Sequence, residues 1–554
     1  MTAHLYKVFG LLVALTIAAC DATGVPEPRT PTFEPVRAGA YWKGACEMPH
    51  TWARLIARGW DSGPGRDDDL VIVPDPPHYA GTATDTSHSG PYRFLQEVPL
   101  IAYGPGFIKP RGSFDPGRTV TLADIAPTYA ELLGFDFPSR DGRPLTELLE
   151  DVTTPPRLIV TVSIDGGGWN VLNHWARTWP NLRRLIDDGV SVENAITGSS
   201  PSVTPAIHTT ISTGAFPRRH GVTAIRVRSS GGDIVSAFSR RPTYSGPEVE
   251  PGLNLRTTTI GDLWDRANAN IPIVGMLASG NYPLGMLGHG RELAGGDKDL
   301  AAFYEDEWAT DPDLFYLPGY VREVSPQGHV IAVDRADGSA DNLWLGHDLE
   351  LTSLGDTPAA ALWQEEIVEA ILERESFGRD EIADLFYVHL KSPDYVGHRW
   401  NMTSLEERDV IASVDTAIGR LRDWLDTNVA QSHVLLITAD HGQTPLGIGG
   451  WPIDRNEMVH DINDRFDRIP NGQGLIESTA TTTLFLDHAE MTGNDATSAE
   501  IASFLSAYTL EANSPPGSGL PDDFADVGSE RVLRAAFPGR SIPRILKCTR
   551  GNGR

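Results

Sequence analysis

The chain of 554 residues has few cysteines and an excess of acidic over basic residues. Three cysteines, at 20, 46 and 548, are too few for a disulfide scaffold and lack the spacing of a zinc ribbon. The 46 Lys and Arg residues stand against 74 Asp and Glu, giving a net charge of −28. Such a field repels polyanions, so we do not expect nucleic-acid binding through charge. An anionic ligand would need local positive charge, for which bound metal ions are the most economical source.

The first 20 residues have the pattern of an export signal. Lys7 precedes the apolar stretch FGLLVALTIAA, which is about half of the roughly 20 residues that a membrane-spanning helix needs. The tripeptide IAA before Cys20 resembles a bacterial lipobox, although Ile departs from the preferred Leu at its first position. We therefore expect a lipoprotein signal peptide at 1–20, with the protein exported and lipid-anchored to the cell envelope through Cys20. In the alternative, the signal is a plain secretory one and the cysteine is incidental.

Two proline-containing breaks divide the rest of the chain. Residues 21–40 are rich in proline and predict a linker. The adjacent prolines in DVTTPPR, at 151–157, stop the preceding helix and predict a joining linker. We therefore predict a first segment at 41–150, a main domain with a lid insertion at 158–450, and a cap with a return to the core at 451–554.

Short apolar runs alternate with helical patterns after the second break. The segments RLIVTVSI at 157–164, DLFYVHL at 384–390 and HVLLITA at 433–439 predict buried strands. Between the last two, residues 404–429 have apolar side chains at helical spacing, as a crossover between parallel strands requires. The pattern predicts an α/β fold with a parallel-rich central sheet and helices on both faces.

The three predicted strands all lead to residues that can bind metal. The first ends on Asp165, the second leads to Asp394 and His398, and the third leads to Asp440 and His441. Ligands bind at the carboxyl ends of the strands in open α/β sheets. Carboxylate oxygen combined with neutral imidazole suits zinc or a similar first-row ion. A single Asp at a strand end can also be a helix cap, but the joint pattern predicts a metal centre.

The segment at 196–222, ITGSSPSVTPAIHTTISTGAFPRRHGV, is rich in hydroxyl groups. Thr204 precedes Pro205, a residue that favours the first turn of a helix. A hydroxyl at a helix start beside cations is positioned to attack an anionic centre. In the alternative, Thr204 only caps the helix. We interpret His208 as a residue that braces this segment and not as a metal ligand.

Asp165, the Thr204 segment and the motifs DYVGH and ADHG together resemble the alkaline phosphatase superfamily. The resemblance is closest to its type I phosphodiesterase and nucleotide pyrophosphatase branch, in which Thr replaces the Ser nucleophile, and it spans most of 157–450. It implies an alkaline phosphatase-like fold and two divalent metal ions, with zinc expected and manganese as the alternative.

The resemblance also implies which residues hold each ion. The first ion would be surrounded by four residues, namely Asp165, Thr204, Asp440 and His441. Asp394 and His398 would hold the second ion.

The second ion needs a further ligand, which in this family is a His well downstream of the DH pair in a THG or SHG context. Residues 451–554 contain no such motif. The segment 69–134 instead looks like the C-terminal part of the family's domain, and it contains His88. We infer that the catalytic domain is circularly permuted and that His88 is the missing ligand.

Permutation also has a consequence for the cysteines. Domain termini often lie close together, so a permuted chain should bring Cys46 and Cys548 near one another. With Cys20 lipidated, these are the remaining thiols in an oxidising compartment. We expect a disulfide between Cys46 and Cys548, with two separate buried thiols as the alternative.

The resemblance implies a phosphate ester hydrolase that forms a phosphothreonine at Thr204. Two cations would clamp the attacking and leaving oxygens. Ile225 stands where diesterases of this branch usually carry a phosphate-binding Asn, and Arg226 or Arg228 could replace it, although an Arg on an alternating strand is more often solvated. The region ASGNYPLG offers no Lys and Arg pair of the kind that monoesterases add, which favours diesters.

Other functions stay open at this point. The same site could belong to a phosphomonoesterase or a phosphotransferase, or the chain could be a non-catalytic envelope-binding lipoprotein. The expected partners are a small phosphate ester or diester and, through the lipid, a membrane. We interpret Lys391 as a surface charge rather than a substrate contact, and residues 285–308 as a glycine-rich loop, with a lid over the leaving group as the alternative.

Overall fold

The computed structural model describes residues 37, 39–61, 66, 68–81, 88, 90–151, 154–229, 231–238, 255–429, 431–445, 449–515 and 519–552. The predicted signal peptide with Cys20, and most of the predicted linker at 21–40, lie outside the described residues. Within them, no helix is both long enough and apolar enough to cross a lipid bilayer.

The strands of the described chain are, in order, β1 Leu70–Pro74, β2 Tyr79–Ala80, β3 Leu100–Tyr103, β4 Gly112–Phe114, β5 Val120–Thr121, β6 Leu158–Ile164, β7 Val190–Val192, β8 Ala195–Ile196, β9 Arg226–Arg228, β10 Ile234–Ser236, β11 Val274–Ser279, β12 Asp299–Tyr304, β13 Trp308–Ala309, β14 Phe315–Tyr316, β15 Leu343–Trp344, β16 His347–Asp348, β17 Asp384–Leu390, β18 His433–Thr438, β19 Pro452–Ile453, β20 Ile476–Ala480, β21 Thr483–Leu486 and β22 Leu533–Pro538.

The α-helices of the described chain are α1 Tyr41–Glu47, α2 His50–Gly59, α3 Arg93–Gln96, α4 Ile125–Leu133, α5 Trp169–His174, α6 Pro180–Asp188, α7 Thr204–Thr213, α8 Pro217–His220, α9 Ile260–Ala267, α10 Leu284–Leu287, α11 Gln327–Asp334, α12 Ala359–Arg374, α13 Ser392–Trp400, α14 Leu405–Asn428, α15 Arg455–Phe466, α16 His488–Gly493, α17 Ser498–Leu505 and α18 Ile542–Cys548.

A large mixed sheet forms the centre of the molecule, with the order β13-β12-β11-β17-β6-β18-β3-β7-β4 and with β14 beside β12. The five strands from β12 to β18 are parallel. The strands β3 and β13 are antiparallel to their neighbours. The predicted α/β class with a parallel-rich sheet is confirmed, and the three predicted strands correspond to β6, β17 and β18.

Alternate residues of the central strands pack into two cores, one on each face of the sheet. On β6, Ile159 belongs to one core and Val160 to the other. Helices α4, α7 and α9 cover the first face, and α12 and α14 cover the second. Because both faces are covered, the central strands are continuous apolar runs, which is why the sequence predicts them well. The crossover helix α14 begins after Ser404, whose hydroxyl accepts a hydrogen bond from the Glu407 amide at 3.1 Å.

The front of the chain contributes to this sheet. Strand β3 lies antiparallel beside β18, pairing Ile101 with Ile437, and α4 packs on one face. A segment that precedes β6 in sequence therefore lies on the far side of β18. A permuted chain order predicts this placement for β3 and α4, which both belong to the segment at 69–134.

A second lobe combines the two ends of the described chain. Strand β1 lies between β21 and β22 in a four-stranded sheet, and the core of this lobe draws on residues 41–73 and 451–545. A disulfide joins Cys46 to Cys548, with the Cα atoms 5.4 Å apart. The core of this lobe therefore takes residues both from the predicted first segment at 41–150 and from the predicted cap at 451–554.

Part of the predicted loop or lid at 285–308 is instead a strand. Strand β12 is hydrogen-bonded to β11 and β13, and its residues Leu300 to Phe303 are buried. The apolar run LAAF packs on both faces of the sheet, so the expectation of a glycine-rich loop or a lid is wrong for the second half of that segment. The many glycines around it obscured this strand in the sequence.

Candidate metal centre

Three parallel strands bring their carboxyl ends together at one edge of the central sheet. Asp165 follows β6, Asp394 lies on α13 after β17, and Asp440 comes two residues after β18. The turn after Asp165 is very tight, because Gly166 has a φ of 71° and a Cβ there would lie 3.1 Å from the Asp394 Cα atom. Glycine at this position allows both the positive φ and the close approach of the Asp394 backbone.

Asp165, Asp440 and His441 form the first cluster, and all three are fully buried. The His441 Nε2 atom lies 3.3 Å from Asp165 Oδ1 and 3.3 Å from Asp440 Oδ2. These are the residues that the sequence assigns to the first ion.

His88, Asp394 and His398 form the second cluster. The Asp394 Oδ1 atom lies 3.5 Å from His88 Nε2 and 3.4 Å from His398 Nε2. The structure therefore brings His88 from the front of the chain to the two residues with which the sequence groups it.

The two clusters are adjacent. The His88 ring stacks on the His441 ring with centroids 3.5 Å apart, and His441 Nε2 lies 3.8 Å from Asp394 Oδ1. The six residues of the two clusters therefore lie together, and all of them are buried except the partly exposed His398. The position of this centre at the carboxyl ends of the strands is the usual one for ligands of such sheets.

Backbone carbonyls orient two of the histidines. The Nδ1 atom of His88 lies 3.1 Å from the Ser202 carbonyl, and that of His441 lies 3.0 Å from the Gly442 carbonyl. A carbonyl only accepts, so each Nδ1 carries the proton and each Nε2 lone pair faces the centre. Metal-binding histidines are commonly held in this way.

The donor atoms at this centre fit a pair of divalent ions. Among the buried atoms that lack a hydrogen-bond partner, four are carboxylate oxygens or imidazole nitrogens of the two clusters, namely Asp165 Oδ1, Asp394 Oδ1, Asp440 Oδ2 and His441 Nε2. Buried polar atoms without partners are costly and rare. All four belong to predicted ligands, and carboxylate oxygen with imidazole nitrogen is a donor set that suits zinc.

Thr204 is the first residue of α7, and its side chain faces the first cluster. Its hydroxyl donates a hydrogen bond to Asp165 Oδ2 at 3.2 Å. Val203 occupies the cap position, and no side-chain capping bond is present at this helix start, so the alternative role of Thr204 as a helix cap is wrong. His208 Nδ1 donates to the Thr204 carbonyl at 2.8 Å, which agrees with its predicted bracing role.

Lys391 lies inside the centre, and the interpretation of Lys391 as a surface charge is wrong. Its side chain is buried, with Nζ 2.9 Å from Asp165, 2.6 Å from Asp394 and 3.3 Å from the Thr204 hydroxyl. The position after β17 turns it inward with the neighbouring ligands. Its spacing of three residues before Asp394 was the available signal, since residues at i and i+3 share a helix face.

His389 is a buried residue of the centre that the sequence analysis missed. It is the penultimate residue of β17, and its Nε2 lies 2.7 Å from Asp165 Oδ2. Together with Lys391 and Thr204, it gives this carboxylate oxygen three polar neighbours. Nothing in the apolar run DLFYVHL distinguishes such a histidine from an ordinary core residue.

The charges of the centre shift its pKa values in opposite directions. Burial would raise the pKa of Asp165, but the charge of Lys391 and the hydrogen bond from His389 lower it well below its usual range. Burial and the charge of Asp165 raise the pKa of Asp440 to about 7. Burial would lower the pKa of Lys391, but the two carboxylates beside it raise this pKa well above its usual value. The lysine is therefore a fixed positive charge next to the Thr204 hydroxyl.

The two arginines considered as phosphate ligands have other partners. Arg228 is buried and makes two bonds to the Asp69 carboxylate, at 3.1 and 3.0 Å, so it is not solvated as expected. Arg226 is exposed and donates to the Ser478 hydroxyl at 3.0 Å. Ile225 is 38% exposed. Neither arginine contacts the two clusters.

A cavity of about 260 Å³ lies beside the centre, at the carboxyl ends of β11 and β12. Three aromatic side chains line it, those of Tyr304, Trp363 and Tyr395. Tyr395 also lies under Lys391, with Nζ 5.5 Å from its ring centroid. The cavity therefore offers aromatic surface within reach of the metal centre.

Two relatives are similar to this chain over a large part of its length. A protein from Myroides odoratus named calcium-transporting ATPase is 22% identical over 62% of this chain and 72% of its own length. The alkaline phosphatase PhoV of Synechococcus elongatus is 23% identical, but the match covers 52% of this chain and 59% of PhoV.

The crystal structure of wild-type alkaline phosphatase PafA superposes with a TM-score of 0.51 at 18% identity, covering 70% of this chain and 85% of that one. At this identity the superposition shows an alkaline phosphatase-like fold. The sequence model of type I phosphodiesterase / nucleotide pyrophosphatase matches residues 159–467, which is more than half of the chain. The chain therefore belongs to the type I phosphodiesterase / nucleotide pyrophosphatase family, within the alkaline phosphatase superfamily.

Proposed function

We propose that this protein is a phosphate ester hydrolase that works through Thr204 at a centre for two divalent metal ions, with diesters as its preferred substrates. One observation carries the proposal: the Thr204 hydroxyl lies 3.2 Å from Asp165 of the first cluster and 3.3 Å from Lys391. An alcohol between a buried carboxylate and a fixed cation is a suitable nucleophile for an anionic phosphorus centre.

The ions would be held by residues already near one another. The first ion would lie among Asp165, Asp440 and His441, and the second among His88, Asp394 and His398. Bound divalent ions would favour the ionised threonine and neutralise charge on the phosphoryl oxygens. Zinc is the expected metal and manganese the alternative.

The residues of the chain would then act in two steps. The ionised Thr204 oxygen forms a bond to phosphorus while the bond from phosphorus to the leaving oxygen breaks. The proton that Thr204 has lost to solvent is balanced by the one that the leaving alkoxide takes up, so an alcohol is released, and Asp165 holds the threonine side chain in place. Lys391 Nζ stabilises the negative charge on the attacking oxygen. Water then attacks the phosphothreonine, which releases the phosphate product and restores the threonine hydroxyl.

The preference for diesters rests on what surrounds the centre. The aromatic cavity beside Tyr395 offers a place for an organic group of the substrate. Lys391 forms ion pairs with Asp165 and Asp394. It therefore differs from the Lys and Arg pair that monoesterases add to bind the phosphate. A phosphomonoesterase or a phosphotransferase would use the same nucleophile.

The experiment compares bis-p-nitrophenyl phosphate with p-nitrophenyl phosphate, using purified protein loaded with zinc or manganese. We expect faster turnover of the diester, and a loss of at least about 10³-fold in the Thr204→Val variant. The matched control is Thr209→Val on the same helix, whose hydroxyl bonds only to the Pro205 carbonyl, and which should stay within a few-fold of wild type.

Equal turnover in wild type and Thr204→Val would contradict the proposed nucleophile. No turnover of either ester would favour the non-catalytic binding protein. Faster turnover of the monoester would favour a phosphomonoesterase, and phosphoryl transfer to an added acceptor alcohol would favour a phosphotransferase.

A further inference from the structure

A second group of carboxylates lies at the opposite edge of the central sheet. Asp265, Asp297 and Asp299 each place a carboxylate oxygen within 4.8 Å of the others, and we name them the amino-edge acid cluster. Asp299 is the first residue of β12, whereas the metal centre follows the last residues of β6, β17 and β18. The cluster is therefore distinct from that centre.

The cluster brings three acidic side chains close together, and ionising all of them without a bound cation is unfavourable. Asp265 lies in the last turn of α9, where the helix dipole also disfavours an anion. Among the described residues, no Lys, Arg or His forms an ion pair with any of the three carboxylates. Burial, followed by the neighbouring acids, raises the pKa of Asp265 to about 8.

One buried atom points to a ligand. Asp265 is 6% exposed, and its Oδ1 has no hydrogen-bond partner. Asp262, one turn earlier on the same helix, differs sharply, since it accepts from the Thr259 amide at 2.7 Å and from His289 Nδ1 at 2.7 Å. The same helix thus carries one fully bonded carboxylate and one that lacks a partner.

The loop that carries Asp297 is held against α9. Asn270 has a φ of 57° and donates from Nδ2 to the Gly295 carbonyl at 2.9 Å. This bond joins the turn after α9 to the loop before β12, so two of the carboxylates approach from opposite walls. The cavity between these walls has a volume of about 330 Å³, which leaves room for waters to complete a coordination shell.

We propose that the amino-edge acid cluster is a calcium site that ties the end of α9 to the start of β12. Oxygen donors without histidine or cysteine suit a hard cation, and calcium accepts irregular sets of carboxylates, carbonyls and waters. Magnesium demands a nearly ideal octahedron, which three carboxylates from a helix, a loop and a strand are poorly arranged to give. The role of the ion is structural, because the cluster contains no nucleophile or general base partner.

Calcium titration of the zinc-loaded protein tests the site. We expect one calcium ion per chain by isothermal titration calorimetry, with a Kd between about 10⁻⁵ and 10⁻³ M, and a rise in Tm of a few degrees at about 1 mM calcium. Asp299→Asn should weaken binding by at least about tenfold and abolish the Tm shift. The matched control is Asp313→Asn, an exposed acid outside the cluster, which should behave as wild type.

Two further variants keep the test decisive. Asp297→Asn changes the exposed member of the cluster, so it replaces Asp299→Asn if that variant does not fold. Asp440→Asn alters the metal centre and should leave calcium binding intact. Absence of saturable binding, binding that survives both cluster variants, or binding lost in Asp440→Asn would each overturn the proposal. Because the readout is calcium binding, its failure is separate from failure of the hydrolase proposal.

Discussion

The two edges of the central sheet collect carboxylates in different ways. At the carboxyl edge, Asp165, Asp394 and Asp440 lie among histidines, and one buried lysine forms ion pairs with two of them. At the amino edge, three aspartates meet without a cationic partner among the described residues. Mixed nitrogen and oxygen donors beside a hydroxyl suit chemistry at phosphorus, whereas oxygen donors alone suit a structural ion. The set of neighbours, rather than the number of carboxylates, separates the two roles.

The largest expected effect comes from removing His88 at the carboxyl edge. His88→Gln should lose about one metal equivalent per chain, and its turnover should fall by at least about 100-fold. Loss of a residue that only hydrogen-bonds to a metal ligand costs about 10- to 100-fold in metal affinity or activity, and loss of a ligand itself should cost more. Metal content by mass spectrometry and steady-state turnover measure this. His174→Gln, at an exposed histidine that belongs to none of the clusters able to hold a metal ion, is the control. Full metal content in His88→Gln would show that His88 is not a metal ligand.

Substitution of Lys391 is a second test of the difference between the carboxyl edge and the amino edge. Lys391→Met leaves Asp165 and Asp394 buried without their cation, which should destabilise the metal-free protein by about 3–5 kcal/mol. Added zinc should restore most of this stability, since the ions then compensate the carboxylates. Urea unfolding with a chelator and with zinc measures the difference, with the exposed Lys43→Met as control. An equal loss in both conditions would show that the lysine acts independently of the metals.

The disulfide lies in the second lobe, away from both edges. Replacing Cys46 and Cys548 by Ser should reduce stability by about 2–4 kcal/mol, because the bond closes a separation of 502 residues. Turnover and calcium binding at moderate temperature should stay as in wild type. Thermal unfolding with and without a reductant measures the effect on the unmodified protein. A large loss of turnover in the double variant would mean that the lobe positions the metal centre directly.

The smallest expected effect concerns the aromatic cavity beside the carboxyl edge. Tyr304→Leu removes a half-buried aromatic side chain of the cavity and should lower kcat/KM for bis-p-nitrophenyl phosphate by about 2- to 10-fold. Methyl p-nitrophenyl phosphate, which has only one aryl group, should be affected less. Equal losses for the two diesters would show that the cavity does not hold the second organic group.

The sequence predicts the carboxyl edge better than the amino edge, for a physical reason. Strands buried on both faces are continuous apolar runs, so their ends are easy to locate, and the carboxylates that follow must meet. The family model covers 159–467 and so leaves His88 outside. His88 is predicted from the likeness of 69–134 to the C-terminal part of the family's domain and from the missing ligand. His389 carries no motif, and Lys391 is marked only by its spacing to Asp394, so their roles depend on neighbours in space.

Neither the amino-edge acid cluster nor the second lobe could be predicted from the sequence, and the reasons are related. Asp265 lies on a helix and Asp299 begins a strand after a glycine-rich loop, so no spacing links them. Strand β1 is apolar and recognisable, but both of its partners lie more than 400 positions later. Pairing over such separations depends on tertiary packing, which local patterns do not report.

The position of β1 also determines when the molecule can be completed during synthesis. Its neighbours β21 and β22 are translated after the central sheet, so β1 stays without either partner while that sheet is made. An unpaired apolar strand invites association with other chains. We therefore expect nascent chains that stop before β21 to require a chaperone, although every residue of the metal centre has already been made.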